Sequence, residues 1–122
     1  MAAAQFHTLN VRRVSPEAAG AVAITLKVPS DLHETFRFEP GQFLTLRAQI
    51  NGQEQRRSYS ICSTRSRLQR ENELEVGIRP MQGGVFSNWA ATSLQSGGTL
   101  EVMPPGGRFI VQRPRARLDE AL

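Results

Sequence analysis

Apolar residues alternate with polar ones in several short stretches of this chain. The clearest are residues 21–28, the stretch that follows Gly41, and residues 73–79. Their apolar sets are Val22, Ile24, Leu26 and Val28; Leu44, Leu46, Ala48 and Ile50; and Leu74, Val76 and Ile78. A period of two places each set on one face of a β-strand. Weaker patterns predict a first strand over residues 5–14 and a last one over residues 99–103.

Turn signals connect these stretches. Asn51-Gly52 is a strong signal for a two-residue hairpin, so the run that begins at Arg56 is predicted to be the return strand. The segment from Ser63 to Asn72 is polar and rich in arginine, which is typical of a solvated loop. A hairpin and short connections of this kind favour antiparallel strands.

One helix is predicted after the glycine pair Gly83-Gly84. Residues 85–94 can form it, with Val85 and Trp89, and also Phe86, on the packed side. Six short strands and one short helix indicate an all-β protein, built as a closed or nearly closed antiparallel barrel.

The bulk composition fits a single ordinary domain. The chain has 122 residues, 39% hydrophobic and 21% charged, and its 10 glycines and 7 prolines favour turns and short strands. One cysteine, Cys62, suits a reducing compartment. No secretory signal follows Met1, and no apolar run approaches the ~18 residues that cross a bilayer. We therefore expect a cytoplasmic protein that has no membrane partner.

The net charge of +4 is carried almost entirely by arginine. Such a surface could meet an anionic cofactor, an acidic protein or nucleic acid. One alternative is therefore a basic β-barrel module for single-stranded nucleic acid, which needs several exposed aromatic rings along a basic groove. Most aromatic residues here fall at core-like positions, which disfavours a nucleic-acid partner.

The strand after the hairpin carries the most suggestive chemistry. Arg57, Tyr59 and Ile61 share one face of it, and positions two apart on a strand lie about 7 Å from each other. A guanidinium can clamp a phosphate with two hydrogen bonds, and a tyrosine ring offers a flat stacking surface. The pair suits a ligand with a phosphate at one end and a flat ring at the other. The plain alternative is a half-buried strand with an ordinary surface arginine and tyrosine.

A second candidate phosphate site lies at the predicted helix start. Free backbone N–H groups at a helix N-terminus attract anions, and glycine lets a phosphate approach the backbone closely. Ser87 can cap the helix or bond to a phosphate oxygen. The plain alternative is a helix cap after a glycine turn. With Arg57 on a neighbouring strand, the two sites could hold opposite sides of one pyrophosphate.

Other reactive residues give no site. Cys62 is predicted to be a buried, inert small residue. His7 and His33 have no company at metal-ligand spacing, so no metal site is predicted. No catalytic triad or carboxylate pair stands out, and no catalytic side chain is predicted. Such a chain suits chemistry that a cofactor carries out.

Four segments, taken together, resemble the flavin domain of the ferredoxin-NADP reductase superfamily. Arg57-Ser58-Tyr59-Ser60 is similar to its Arg-x-Tyr-Ser/Thr flavin motif. Phe38–Phe43 resembles the Pro-Gly-Gln-aromatic entry to the third strand. Ile78–Asn88 resembles the Gly-rich flavin-phosphate segment, and Pro104–Phe109 the Pro-x-Gly-x-Phe exit. Their order along about 75 residues is that of the family.

The resemblance implies a fold and a set of site residues. The fold is a six-stranded antiparallel Greek-key barrel with a single capping helix. Arg57 would bind the flavin pyrophosphate, Tyr59 would stack on the isoalloxazine ring, and Ser60 would lie near its N5 atom. Phe109 would cover part of the cofactor. The cofactor-binding residues implied in full are Arg57, Ser58, Tyr59, Ser60, Ile78, Arg79, Gly83, Gly84, Val85, Phe86 and Ser87.

The resemblance also implies partners. Residues 1–110 would form an FAD-binding barrel, and residues 111–122 a linker or tail toward a nucleotide-binding domain that is absent from this sequence. NAD(P)H and a [2Fe–2S] cluster would be bound by such absent regions. Within the superfamily the chain most resembles reductase components of multicomponent oxygenases, in particular of the phenylacetyl-CoA epoxidising system. That implies an oxygenase as electron acceptor and a role in phenylacetate degradation. A barrel that binds FMN instead of FAD is the remaining alternative.

Overall fold

The computed structural model describes residues 5–107, which form six strands and two α-helices. The strands are β1 (His7–Pro16), β2 (Val22–Lys27), β3 (Phe43–Ile50), β4 (Gln53–Ser60), β5 (Glu73–Ile78) and β6 (Thr99–Val102). The helices are α1 (Arg65–Glu71) and α2 (Val85–Thr92). Two short 3₁₀ turns, Ala18–Gly20 and Ser30–Leu32, flank β2. None of the helices in this part of the chain is long and apolar enough to span a membrane.

The strands form one antiparallel sheet in the order β4-β3-β6-β1-β2-β5. Because β6 lies between β1 and β3, the connections follow a Greek key. The two outer strands approach each other where β4 ends: Ile61 bridges Val76, and the Cys62 N–H donates to the Glu75 carbonyl at 2.9 Å. The sheet is therefore curled into a partial barrel, which confirms the predicted architecture.

The core is formed by the alternating apolar positions that the sequence indicated. Val22, Ile24, Leu26 and Val28 are all buried on β2 and just after it, and Leu74, Val76 and Ile78 on β5 are fully buried. On β3, Leu44, Leu46 and Ile50 are buried, and Ala48 packs against them. These apolar faces set the register of the sheet. On β2 the opposite face is covered as well, since Ala23 and Thr25 are buried.

Helix α1 was not predicted. The segment from Ser63 to Asn72 was interpreted as a solvated loop, but it contains a helix that begins at Arg65. Thr64 is the N-cap residue, and its hydroxyl accepts a hydrogen bond from the Arg67 N–H at 3.1 Å. One apolar residue, Leu68, anchors the helix in the core. A helix of two turns that buries one side chain leaves no apolar period in the sequence, so the expectation of a single helix was wrong.

Asn72 ends α1 in the left-handed conformation, with φ at 61° and its N–H bonded to the Leu68 carbonyl at 3.1 Å. Its own carbonyl accepts from the Val28 N–H at 2.7 Å, so the cap is tied to the barrel. Asparagine tolerates this conformation and alanine does so poorly. We expect Asn72→Ala to lower the free energy of unfolding by about 1 kcal/mol and Asn72→Gly to be nearly neutral. Urea denaturation of the three proteins measures this, and an equal loss in both variants would contradict it.

Helix α2 packs on the core through Phe86 and Trp89, as predicted, but the placement of Val85 on the packed side was wrong. Phe86 and Ala90 are buried, whereas Val85 is 45% exposed. Trp89 is partly buried against the core, with its ring 5.6 Å from that of Phe86. Val85 begins the helix beside the glycine turn, and residues one and four positions later point inward. The predictions for Phe109 and for residues 111–122 lie outside the described residues.

Candidate functional site

The register between β3 and β4 places Arg57 and Tyr59 on the core side of the sheet. Arg57 pairs with Leu46, and Tyr59 pairs with Leu44, both fully buried. Directly paired residues in an antiparallel sheet point to the same side. Tyr59 packs on the core with its ring 6.0 Å from that of Phe86, while Arg57 is exposed. The motif strand is thereby in contact with the first turn of α2.

The pKa of Tyr59 also reflects its partly buried position. Desolvation raises the pKa of its hydroxyl, and the charge of Arg57 acts in the opposite direction. The cation and the ring are therefore close enough to interact, as their spacing along the strand predicted. Tyr59 stays neutral at physiological pH and offers an uncharged ring.

The opposite side of β4 carries Arg56, Ser58 and Ser60. Arg56 is ion-paired with Glu54 at 2.7 Å, and the Ser58 and Thr45 hydroxyls lie 2.8 Å apart. Ser60 is exposed and pairs with Phe43 of β3. Side chains of the four-residue motif are thus divided between two faces, and only Arg57 and Tyr59 face α2.

The turn before α2 is tighter than its glycines alone indicate. Gly83 has φ at 77°, a conformation that favours glycine. A Cβ on Gly84 would lie 2.6 Å from the Ser87 hydroxyl and 3.2 Å from the Met81 carbonyl. Gly84 is therefore required by the packing of the turn itself, and not only by the approach of a ligand.

Ser87 does not cap the helix. Gly84 is the N-cap residue, and Ser87 is buried, with its hydroxyl accepting from the Met81 N–H at 3.2 Å. The hydroxyl is also 3.5 Å from the Gly84 carbonyl. Its internal bonds make Ser87 a residue that shapes the turn, and leave the backbone amides as the groups available to a ligand.

Within residues 5–107 the donors of the site have few other partners. Arg12, Arg13, Arg37, Arg47, Arg56, Arg65 and Arg67 each form an ion pair there. Arg57 has no carboxylate partner in this part of the chain and only donates to the Arg56 carbonyl at 2.6 Å. The amides of residues 85–87 have no acceptor there either, as expected for a first helical turn. A guanidinium and helix-start amides are the donor set that fits a pyrophosphate.

Ile78 is the last residue of β5, and Arg79 follows it. The Ile78 side chain is fully buried, so only its backbone could meet a cofactor. Both residues line a cleft of about 370 Å³, together with Cys62, Glu75 and Gly77 and residues of the β1–β2 connection. Their predicted role at the cofactor stays a prediction.

Cys62 is exposed, so its predicted burial was wrong. Partial desolvation raises the pKa of its thiol, and the carboxylate of Glu75, with Oε2 3.8 Å from the sulfur, raises it further. The chain leaves the barrel core as soon as it passes Ile61, which the alternation along β4 could not indicate. A raised thiol pKa keeps Cys62 protonated and weakly nucleophilic.

The aromatic residues do not form an exposed row in the part of the chain that the structure describes. Phe36, Phe38 and Phe86 are buried. The Phe6 ring is covered by Arg47, whose guanidinium carbon lies 3.8 Å from the ring centroid. Stacking of successive nucleotide bases needs free rings, so these positions give the nucleic-acid alternative no support.

Comparison with known proteins identifies the family of this chain. The family model of the oxidoreductase FAD-binding domain matches residues 9–110. The chain is 48% identical over 104 residues to one of the subunits of the 1,2-phenylacetyl-CoA epoxidase of Escherichia coli strain K12. It is 35% identical over 102 residues to the ferredoxin reductase component of the 3-ketosteroid-9-alpha-monooxygenase of Rhodococcus rhodochrous. These matches cover 85% and 83% of this chain but 28% of each relative.

A solved structure shows the same fold. A ferredoxin NADP+ reductase from Neisseria gonorrhoeae superposes with a TM-score of 0.70 at 22% identity, over 87% of this chain and 40% of that one. The chain spans less than a third of the length of its two curated relatives. The matches confirm the resemblance drawn from the four segments, and the family description names FAD as the cofactor. The chain belongs to the oxidoreductase FAD-binding domain family.

Proposed function

We propose that this chain is the flavin-binding part of an NAD(P)H-dependent reductase that supplies electrons to an oxygenase in phenylacetate degradation. The observation that carries the proposal is that Arg57 and Tyr59 share one face of β4, where the Tyr59 ring packs beside Phe86 in the first turn of α2. The pathway is supported by the 48% identity to the epoxidase component. For the whole protein we also propose a nucleotide-binding region and a [2Fe–2S] region, and a cytoplasmic location. The match covers 28% of the epoxidase component, so both regions would correspond to its remaining part.

Each residue of the site has a role in holding FAD. Arg57 binds the pyrophosphate with two charge-assisted hydrogen bonds, and the amides of Val85 and Phe86 bind its other side. Tyr59 stacks on the isoalloxazine ring and excludes water from one face of it. Ser60 would lie near the N5 atom of the ring and meet it through its backbone groups, because its side chain is on the opposite face of β4. Bound FAD would supply the redox chemistry of electron transfer, while these residues bind and orient it.

The remaining predicted residues contribute through the backbone. Gly83 and Gly84 shape the turn that presents the helix-start amides, and the Ser87 hydroxyl fixes this turn from inside. Ile78 and Arg79 line the cofactor at the end of β5, Ile78 through its peptide groups. No side chain of this chain is proposed to transfer a proton or form a covalent bond.

A titration with FAD, FMN and a single-stranded oligonucleotide tests the proposal. We expect saturable FAD binding, followed by flavin fluorescence and visible absorption, and weaker FMN binding because FMN has no pyrophosphate. Tyr59→Ala should weaken FAD binding about tenfold through lost stacking. Tyr59→Phe is the matched control and should bind FAD as the wild type does.

Other outcomes have distinct meanings. Equal binding of FMN and FAD would contradict the pyrophosphate assignment but keep a flavin site. Binding of the oligonucleotide without flavin, with affinity that falls steeply as salt rises, would establish the nucleic-acid alternative.

A further inference from the structure

Gln42 connects three segments that are distant in sequence. Its side-chain oxygen accepts from the Glu39 N–H at 2.8 Å, and its side-chain nitrogen donates to the Gly107 carbonyl at 3.2 Å. Its backbone N–H donates to the Glu39 carbonyl, and its backbone carbonyl accepts from the Ile61 N–H, both at 3.1 Å. All its hydrogen-bonding groups are engaged, which is unusual for a glutamine that is only half-buried.

One of these bonds reaches the motif strand. Ile61 is the first residue after Ser60 and the second after Tyr59, and its N–H donates to the backbone carbonyl of Gln42. Ile61 also forms the bridge to Val76 that joins the two outer strands. The position of Gln42 therefore fixes the point where the motif strand leaves β3 and turns toward β5.

A second bond reaches the segment at Gly106 and Gly107. Phe43 exchanges two backbone hydrogen bonds with Gly106, at 3.1 and 3.0 Å. Gly107 has φ at 92°, and a Cβ there would collide with the Phe43 ring. The ring and the Gln42 amide thus hold this segment from two sides, and only glycine fits between them.

We propose that Gln42 is a positioning residue: its side chain ties the turn at Glu39 to Gly107 and thereby holds in place the Gln42 backbone carbonyl, which accepts from the Ile61 N–H. The position of the motif strand that results sets how the flavin ring is held. The inference rests on the proposed function for its consequence at the flavin. The effect of Gln42 on the position of the motif strand does not depend on that function. No bond is made or broken, and the Gln42 side chain does not touch the cofactor.

Two substitutions separate the contributions of the two side-chain hydrogen bonds of Gln42. Gln42→Glu keeps an acceptor for the Glu39 N–H but cannot donate to the Gly107 carbonyl, and Gln42→Ala removes both bonds. Gln49→Glu is the matched control, because Gln49 is exposed on the adjoining strand β3 and takes the same change of charge. The variants and the wild type are compared with and without FAD.

The first measurement is amide hydrogen exchange by NMR without FAD. We expect the Ile61 amide to exchange about tenfold faster in Gln42→Glu and faster still in Gln42→Ala, while the core amides of Leu26 and Leu74 keep their wild-type rates. The control should match the wild type throughout. Unchanged protection of Ile61 in both variants, or uniform loss across the core, would overturn the inference.

The second measurement is the visible circular dichroism of bound FAD together with its Kd. A changed flavin signal with a rise in Kd of a few-fold in Gln42→Glu, and neither in the control, is the expected result. An unchanged signal beside a faster Ile61 amide would overturn the link to the flavin. If the wild type itself binds no FAD, the proposed function fails, and the exchange rates still decide whether Gln42 positions the strand.

Discussion

Replacing Arg57 with alanine is expected to raise the Kd for FAD about 100-fold. Unlike the neighbouring Arg56, Arg57 has no carboxylate partner within residues 5–107, so most of its donors are free for a phosphate. Two charge-assisted hydrogen bonds to a partly exposed phosphate account for a loss of this size. The fold should be unaffected, because Arg57 is exposed and bonds only to a neighbouring carbonyl. Flavin fluorescence titration measures the Kd.

The chain offers a matched control one residue away. Arg56 lies on the opposite face of β4 and is paired with Glu54, so Arg56→Ala should leave the Kd for FAD nearly unchanged. Arg57→Lys should give an intermediate loss, since lysine keeps the charge but not the planar fork. Equal effects of Arg56→Ala and Arg57→Ala would show that only the overall positive charge matters. A wild-type Kd in Arg57→Ala would remove the pyrophosphate assignment.

The sequence predicted the parts of this fold that depend on repeated local patterns. The strict alternation in β2, β3 and β5 indicated both the strands and their buried faces, and Asn51-Gly52 indicated the hairpin that orients Arg57 and Tyr59. Helix α1 was missed because its only signals are one hydroxyl cap and one buried leucine. Val85 was placed inward because a glycine turn does not indicate the direction in which the next helix starts.

The residue types of the candidate site and the face shared by Arg57 and Tyr59 were predictable from the sequence, but the packing of the turn before α2 was not. Spacing along β4 indicated that Arg57 and Tyr59 lie on one face, and their pairing with Leu46 and Leu44 agrees with this. It could not indicate that Ser87 is turned inward or that Gly84 is required by a neighbouring hydroxyl. Gln42 was noticed only as part of a motif, because its bonds to residues 61 and 107 depend on tertiary structure.

A cluster of charges on β1, α1 and β5 supports the barrel away from this site. The Glu73 carboxylate is buried and accepts hydrogen bonds from Arg13 at 3.0 Å and from Arg67 at 2.8 Å. Arg12 forms an ion pair with it at 3.0 Å. A bulge in β1 at Arg12 allows two successive arginines to reach the same carboxylate. Arg67 also binds Glu75 at 2.8 Å, so the cluster ties α1 to the sheet.

Loss of the Glu73 charge is expected to cost about 2 kcal/mol of unfolding free energy at pH 7. Glu73→Gln keeps the shape of the side chain but leaves the three guanidinium groups without their shared anion. This expected loss is smaller than the loss from breaking a fully buried ion pair, because these arginines are partly exposed. Urea denaturation at pH 7 measures the difference. Glu101→Gln is the control, since the pair of Glu101 with Arg47 lies at the surface and should contribute far less.

The lowered pKa of Glu73 predicts how the stability difference between the two proteins changes with pH. Desolvation alone would raise the pKa of Glu73, but the hydrogen bond from Arg67 and the charges of Arg13, Arg67 and Arg12 outweigh it, and the pKa is lowered from 4.5. A carboxyl group with a lowered pKa in the folded state stabilises the fold above its unfolded pKa, and this contribution is lost as pH falls through the folded pKa. The difference between wild type and Glu73→Gln should therefore be constant above about pH 5 and shrink below about pH 4.5. A difference that persists unchanged at about pH 3, below the usual carboxyl range, would mean that packing, and not charge, makes Glu73 important.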